Sequence, residues 1–208
     1  MSQFGPAEEL AVICFSLILS RLNPYNASMP FETPEERIMQ ETPQQYIQRM
    51  LDNVGSQEPL KIQAATPKKI ARLLKGAASS KLRKRPAPGK WSVGEILAHL
   101  ADTELVSGYR IRAILGAPGT PIPAFDQDAW AAAMRYEKRD PRKSLDRFSA
   151  LRENNLALLK ALTPEQWEHH GMHAERGKET VAHIARMMAG HDINHFGQIE
   201  RILAPKKK

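Results

Sequence analysis

The sequence predicts an all-α protein, a four-helix bundle preceded by an N-terminal helical extension. Three observations carry that expectation. Four long segments repeat apolar residues at helical intervals and open on capping residues. The connections between them are punctuated by Pro and Gly. From residue 58 onward no alternating strand pattern occurs. Helices with one apolar stripe each bury those stripes against one another, and four of them make a bundle.

Residues 1–57 read as the extension. Leu10 to Leu22 forms one apolar helix ended by Asn23-Pro24, and Met29-Pro30-Phe31 follows as irregular chain. Thr33-Pro34-Glu35-Glu36 is an N-cap, an N1 proline and a capping-box acid. The same chemistry at Thr42-Pro43-Gln44-Gln45 starts a helix through about Val54, which Gly55-Ser56 breaks.

Residues 58–204 form the bundle and 205–208 a basic tail. The first bundle helix runs from Pro59 to about Lys75, with Leu60, Ala64, Pro67, Ala71 and Leu74 on one stripe. Pro67 is expected to bend or divide it, because its ring displaces a backbone hydrogen bond. Lys81 to Lys90, with two prolines and a glycine, is expected to be extended. Ser92-Val93-Gly94-Glu95 is a capping box, and Trp91 before it acts as a hydrophobic staple. The helix it opens reaches about Leu115, turns Ile96, Leu100, Leu105, Ile111 and Ile114 to the core, and stops at Gly116 to Pro123. Asp126 caps a short helix to Met134. Asp140-Pro141 starts the third long helix, whose inner stripe is Leu145, Phe148, Leu151, Asn155, Leu158 or Leu159, and Leu162. Thr163-Pro164-Glu165-Gln166 is another capping box, His169 to Gly177 reads as a loop, and Glu179 to Leu203 is the last helix.

Composition narrows the function classes. Hydrophobic residues are 42% and charged residues 25% of 208, as in an ordinary soluble domain. The net charge of +7 comes partly from Lys206-Lys207-Lys208 and mostly from Lys68 to Lys90, which holds nine Lys or Arg and no acid. That run has good helix formers and no interleaved aromatics, so a solvated helix face is favoured over a nucleic-acid surface. A single cysteine, Cys14, excludes an internal disulfide and fits a reducing cytoplasm. Leu10 to Leu19 is shorter than the roughly 20 residues a bilayer span needs, and it follows Glu8-Glu9 rather than a basic segment.

Chemistry concentrates in His191-Asp192-Ile193-Asn194-His195. Residues four apart share a helix face, so His191 and His195 can aim both imidazoles at one divalent ion. His99, in the second turn of the second bundle helix, supplies a third ring from a facing helix. Three protein ligands leave positions for water or substrate, as catalytic sites do. The competing readings are two surface histidines and one satisfied core histidine. A zinc-protease reading of the His191–His195 pair fails, because aspartate is one methylene too short for the general base of that motif.

The segments around these residues resemble a known family. Pro86-Ala87-Pro88-Gly89-Lys90-Trp91-Ser92-Val93-Gly94-Glu95-Ile96-Leu97-Ala98-His99-Leu100-Ala101-Asp102 is similar to the first metal-ligand segment of the DinB-like (YfiT-like) superfamily. Phe125-Asp126-Gln127-Asp128-Ala129-Trp130 resembles a second segment, and Ala189 to His195 with Gln198-Ile199 resembles the last helix. The resemblance spans about residues 58–204. It implies up-down-down-up connections and a metal held by His99, His191 and His195. It further implies chemistry with low-molecular-weight thiols such as bacillithiol or mycothiol, where the metal lowers the pKa of a bound thiol or water.

The expected protein is therefore a cytoplasmic metal-dependent enzyme, a thiol-dependent S-transferase or a hydrolase, with a non-catalytic metal-binding or stress-response bundle as the alternative. Its expected cofactor is zinc, nickel, iron or manganese, which three imidazoles all tolerate, with a thiol cosubstrate. Its expected partners are a small-molecule electrophile, the thiol and a second copy in a homodimer, with no membrane and no nucleic acid. Asp102 and Asp192 are expected either to accept a ligand imidazole's free N–H or to be solvated helix acids. His173 either overhangs the site or is exposed, and His169, His170 and His183 are structural or surface residues. The segment before Met29 either docks on the bundle, lies at a dimer interface, or precedes the true start at Met29 or Met39. Residues 1–28 are expected to be dispensable for metal binding.

Overall fold

The computed structural model describes residues 41–205. The Leu10–Leu22 helix, the Thr33 cap, the role of residues 1–28 and the terminal lysines lie outside the described residues.

Local chemistry sets the helix starts. Helix α1 (Pro43–Val54) opens on a Thr42/Gln45 capping box. The first bundle helix, α2 (Pro59–Leu73), begins at a proline. A short α3 (Ser79–Arg83) occupies part of the segment expected to be extended, and its Leu82 is fully buried. The second bundle helix, α4 (Val93–Gly116), starts at the Ser92/Glu95 box, where Arg85 also pairs with Glu95. Asp126 caps α5 (Gln127–Ala133), and a 3-10 turn follows at Tyr136–Lys138. Asp140 caps the third bundle helix, α6 (Pro141–Lys160), and a Thr163/Gln166 box opens α7 (Pro164–Glu168). The fourth, α8 (Val181–Leu203), is capped by Thr180.

Helix α2 runs unbroken through Pro67. Proline has no N–H to give the carbonyl four residues back. That carbonyl belongs to Gln63, and Nη1 of Arg152 donates to it at 2.9 Å.

The residues that meet show the topology. On α4 and α6, Gly94 adjoins Pro141 and Gly108 adjoins Asn155, so these helices run parallel. On α2 and α8, Gln63 reaches Ala185 and Lys69 lies over Phe196, so these also run parallel. Between α4 and α8, His99 meets His191 and Ser107 meets Met188, which is antiparallel. The order is up-down-down-up.

The bundle has an apolar cluster at each end. One holds Ile70, Leu97, Leu100, Phe148 and Ile199. The other holds Ile111, Ile114, Leu159, Val181 and Ile184. Between them lies a buried polar layer containing Gln63, His99, Glu104, Arg152, Asn155, Asp192 and His195. Leu105, expected in the core, is instead 53% exposed. Positions 105 and 109 share the outer face of α4, as the exposed Tyr109 shows.

The segment expected to be a loop forms most of a small sheet. Strands β1 (Pro121–Ile122), β2 (His170–His173) and β3 (Gly177–Thr180) pair in that order, β1 with β2 parallel and β2 with β3 antiparallel. The sheet ties the chain leaving α4 to the chain entering α8. Helix α1 lies on α8 where Gly190 replaces a side chain. A Cβ there would stand 1.8 Å from the carbonyl oxygen of Met50. Among the described residues no helix is long and apolar enough to cross a membrane.

Candidate metal centre

The structure brings His99, His191 and His195 together in the polar layer. Nε2 of His191 lies 3.0 Å from Nε2 of His99 and 3.0 Å from Nε2 of His195. Their exposures are 1%, 5% and 7%. The spacing of four on α8 stacks two rings on one face, and antiparallel α4 presents the third. Among the described residues these three form the one group of His, Cys, Asp or Glu whose atoms converge as metal ligands do.

Burial, with mutual repulsion as the second cause, pushes His99 and His191 well below the ordinary imidazole pKa. Burial lowers His195 to about 4, against the opposing pull of Gln198. The rings are therefore neutral near pH 7. Nδ1 of His195 lies 2.8 Å from Oε1 of Gln198. An amide oxygen only accepts, so that Nδ1 carries the proton and Nε2 presents a bare lone pair. Nδ1 of His191 is buried without a partner, and the Thr103 hydroxyl is 3.4 Å from the His99 ring nitrogens. The Nε2 of His191 lies 3.0 Å from two other ring nitrogens at once, and a neutral ring brings at most one N–H to that meeting point. One proton can bridge one pair and leaves the third nitrogen bare. A divalent cation satisfies all three, so the donor set fits a metal.

Neither expected carboxylate reaches an imidazole. Asp102 accepts from the Tyr136 hydroxyl at 2.7 Å and from Nη1 of Arg139 at 3.2 Å. Burial and that contact hold the Tyr136 phenol well above its usual pKa. Asp192 is buried and paired with Arg152, so the alternative of a solvated helix acid fails for it too. The reason is helical phase: the residue after His191 faces about 100° away, toward α6 rather than α4. His173, on β2, is 3% exposed rather than a surface loop residue. His183 is half-buried, with Nε2 3.9 Å from Glu179.

Other residues at the centre were given no role at the metal in the sequence, although Trp91 was read as a staple and Gln198 as part of the family-like last helix. Gln198 stands one turn after His195, a spacing that could have pointed to it. The Trp91 ring lies 5.0 Å from that of His99 and covers it. Arg152 holds Asp192, Glu104 and the Gln63 carbonyl together. Burial alone would lower its pKa, and the two carboxylates outweigh that, so it stays charged. Its place on the stripe of Phe148, Asn155 and Leu159 was the available signal.

Two cavities meet the cluster. One of about 640 Å³ exposes His195, with Trp91, Asn194 and Gln198 in its wall. The other, about 380 Å³, exposes His99 and His191.

A family model described as the DinB superfamily matches residues 64–199, well over half of the chain. The chain belongs to the DinB superfamily. Several relatives of the chain carry the name "Putative metal-dependent hydrolase". OB0413 of Oceanobacillus iheyensis is 27% identical over 124 residues, 59% of this chain and 70% of the relative. YfiT of Bacillus subtilis is 26% identical over 138 residues, 65% of this chain and 77% of the relative. A solved structure of YfiT, titled as a probable metal-dependent hydrolase with an unusual four-helix bundle topology, superposes with a TM-score of 0.61. That match has 22% identity and covers 86% of this chain and 94% of the other. The likeness to YfiT establishes the fold.

Proposed function

We propose that this DinB protein is a metal-dependent enzyme in which His99, His191 and His195 hold one divalent ion that activates a nucleophile toward a small electrophile. The observation that carries the reading is the convergence of three neutral imidazoles, the His191 Nε2 lying 3.0 Å from that of each neighbour, with a cavity on either side of the cluster. Zinc, nickel, iron and manganese all suit the donor set. The bound ion supplies Lewis acidity and a lowered pKa for a coordinated thiol or water. The chain's own part is to fix the ligands and shape the space. Gln198 orients His195 by accepting from Nδ1–H, Trp91 shields His99 from water, and Arg152 braces α8 through Asp192 beside His191.

Thiol-dependent S-transfer is the finer reading. Asp102, Glu104 and Asp192 are all committed to Arg or Tyr partners, so none of them serves as a general base at the cluster. A thiol, with a pKa of about 8.5, needs far less help than water at about 15.7. Hydrolysis is the second reading, supported by the names of the relatives.

The test is metal analysis of freshly purified protein and of His195→Ala, followed by turnover of small electrophiles with and without a panel of thiols. The wild type is expected to carry about one ion per chain. The variant should lose it and keep its helical content, because the apolar clusters hold the bundle. Unchanged metal in the variant, or full turnover by metal-free protein, sinks the metal reading. Turnover without any thiol assigns hydrolysis in place of transfer.

A further inference from the structure

The cavity that exposes His99 and His191 also exposes Arg110, far along the same helix. His99, Thr103, Ser107 and Arg110 follow one another on the inner face of α4 and all four are buried. Arg110 is 6% exposed. Its Nη2 donates to the Pro123 carbonyl at 2.7 Å, and the Phe125 ring lies 6.0 Å from its guanidinium carbon. Its Nε is buried with no partner.

This guanidinium lacks what buried charges ordinarily have. Arg152, equally buried, is clasped by two carboxylates. Among the described residues no carboxylate pairs with Arg110. Glu179 is taken by Arg176, with contacts of 2.7 and 3.0 Å, and Glu175 is exposed at the rim of the cavity. A buried charge without a counter-ion is costly to the fold. Burial, with Arg176 adding repulsion against the weaker attraction of Glu179 and Glu175, pulls the Arg110 pKa down to about 10, so it still carries its charge at pH 7. Such a group, turned into a cavity beside a candidate reaction centre, marks a ligand contact.

We infer that this cavity binds a small carboxylate-bearing molecule, with the carboxylate on Arg110 and the reacting end at the three histidines. The inference rests on the proposed function for the identity of the reacting end, and on Arg110 alone for the carboxylate. Phe125, Ile184, Met187 and Met188 give the space an apolar wall for the body of the ligand, while the other carboxylates in the wall are occupied elsewhere, Glu41 with Arg49 and Asp126 in capping α5. His99 and Arg110 are eleven residues apart on one helix, which sets an outer length of about 16 Å at 1.5 Å per residue. One unpaired cation matches one negative charge. The nearby Glu175 and the neutralised Arg176–Glu179 pair disfavour a dianionic phosphate.

The experiment is calorimetric titration with 4-phenylbutyrate and its uncharged carboxamide. The wild type is expected to prefer the carboxylate by at least about tenfold, since charged hydrogen bonds contribute about 1.5–3 kcal/mol. Arg110→Met should erase that preference without lowering the melting temperature, because an apolar chain of similar length replaces an unpaired buried charge. Arg110→Lys, which keeps the charge and loses the planar fork, should retain a reduced preference, and it decides the matter if the methionine variant does not fold. Equal binding of acid and amide by the wild type overturns the inference, as does an undiminished preference in either Arg110 variant. His195 does not line this cavity, so His195→Ala separates this inference from the proposed function. Preference retained in metal-free His195→Ala places the carboxylate on Arg110, whether or not the metal reading survives. Preference lost there, together with the metal, puts the carboxylate on the ion and overturns the inference.

Discussion

Arg152→Met removes one guanidinium from the middle of the bundle and strands its partners. Nη1 donates to the Gln63 carbonyl at 2.9 Å and to Asp192. Nη2 donates to Asp192 at 2.9 Å and to Glu104 at 2.8 Å. Asp192 is 1% exposed and Glu104 is 3% exposed, so water cannot replace the lost donors without opening the helices. Breaking a buried ion pair from one side costs about 3–5 kcal/mol, because the remaining charge stays buried. At about 2–4 °C per kcal/mol for a domain of this size, the melting temperature should fall by roughly 6–20 °C. A thermal scan followed by circular dichroism measures that fall, and urea unfolding at pH 7 and at pH 5 measures the free-energy loss. The deficit should shrink at pH 5, since Asp192, already pushed up by burial and now without Arg152 to oppose it, binds a proton more readily in the folded state than in the unfolded chain. Adding Asp192→Asn and Glu104→Gln should recover part of the loss. A loss below about 1 kcal/mol would refute the idea that Arg152 neutralises this layer. So would a deficit indifferent to acid and to the added substitutions.

Metal-stripped protein should lose stability as the pH falls below about 6.5. The unfolded histidines take up protons there and the buried ones resist. His195, lowered to about 4, alone accounts for about 3 kcal/mol by pH 4; a flat stability curve from pH 7 to 4.5 would contradict neutral buried rings. Gln198→Ala should weaken metal binding about 10- to 100-fold in a competition assay with a chelator, with the helical signal unchanged, because only the orientation of His195 is lost. Gly190→Leu should displace α1 from α8, where a Cβ would already meet the Met50 carbonyl oxygen at 1.8 Å, and faster amide exchange over Pro43–Val54 would show it.

Much of the fold was legible because its signals are local. The caps at Thr42, Ser92, Asp126, Asp140 and Thr163 each accept from a backbone N–H two or three residues on, as their residue types predict. The meeting of His191 and His195 follows from helical spacing alone. His99 came from the resemblance and from the rule that bundle sites draw on facing helices. The small sheet was not legible. Its strands of two to four residues are too short to show a period, and their pairing depends on β1 arriving from the far end of α4.

The charged residues divide along the same line. The spacing of four on α8 determined which two imidazoles share a face, and the apolar stripes determined that four helices close a core. Only the packed bundle decided that Arg152 finds two carboxylates and Arg110 finds none, or that Asp102 turns to Tyr136 and Asp192 to Arg152. The physical reason is range. A cap or a helix face is set within one or two turns of chain, whereas the burial and partners of a long charged side chain depend on what neighbouring helices place around it.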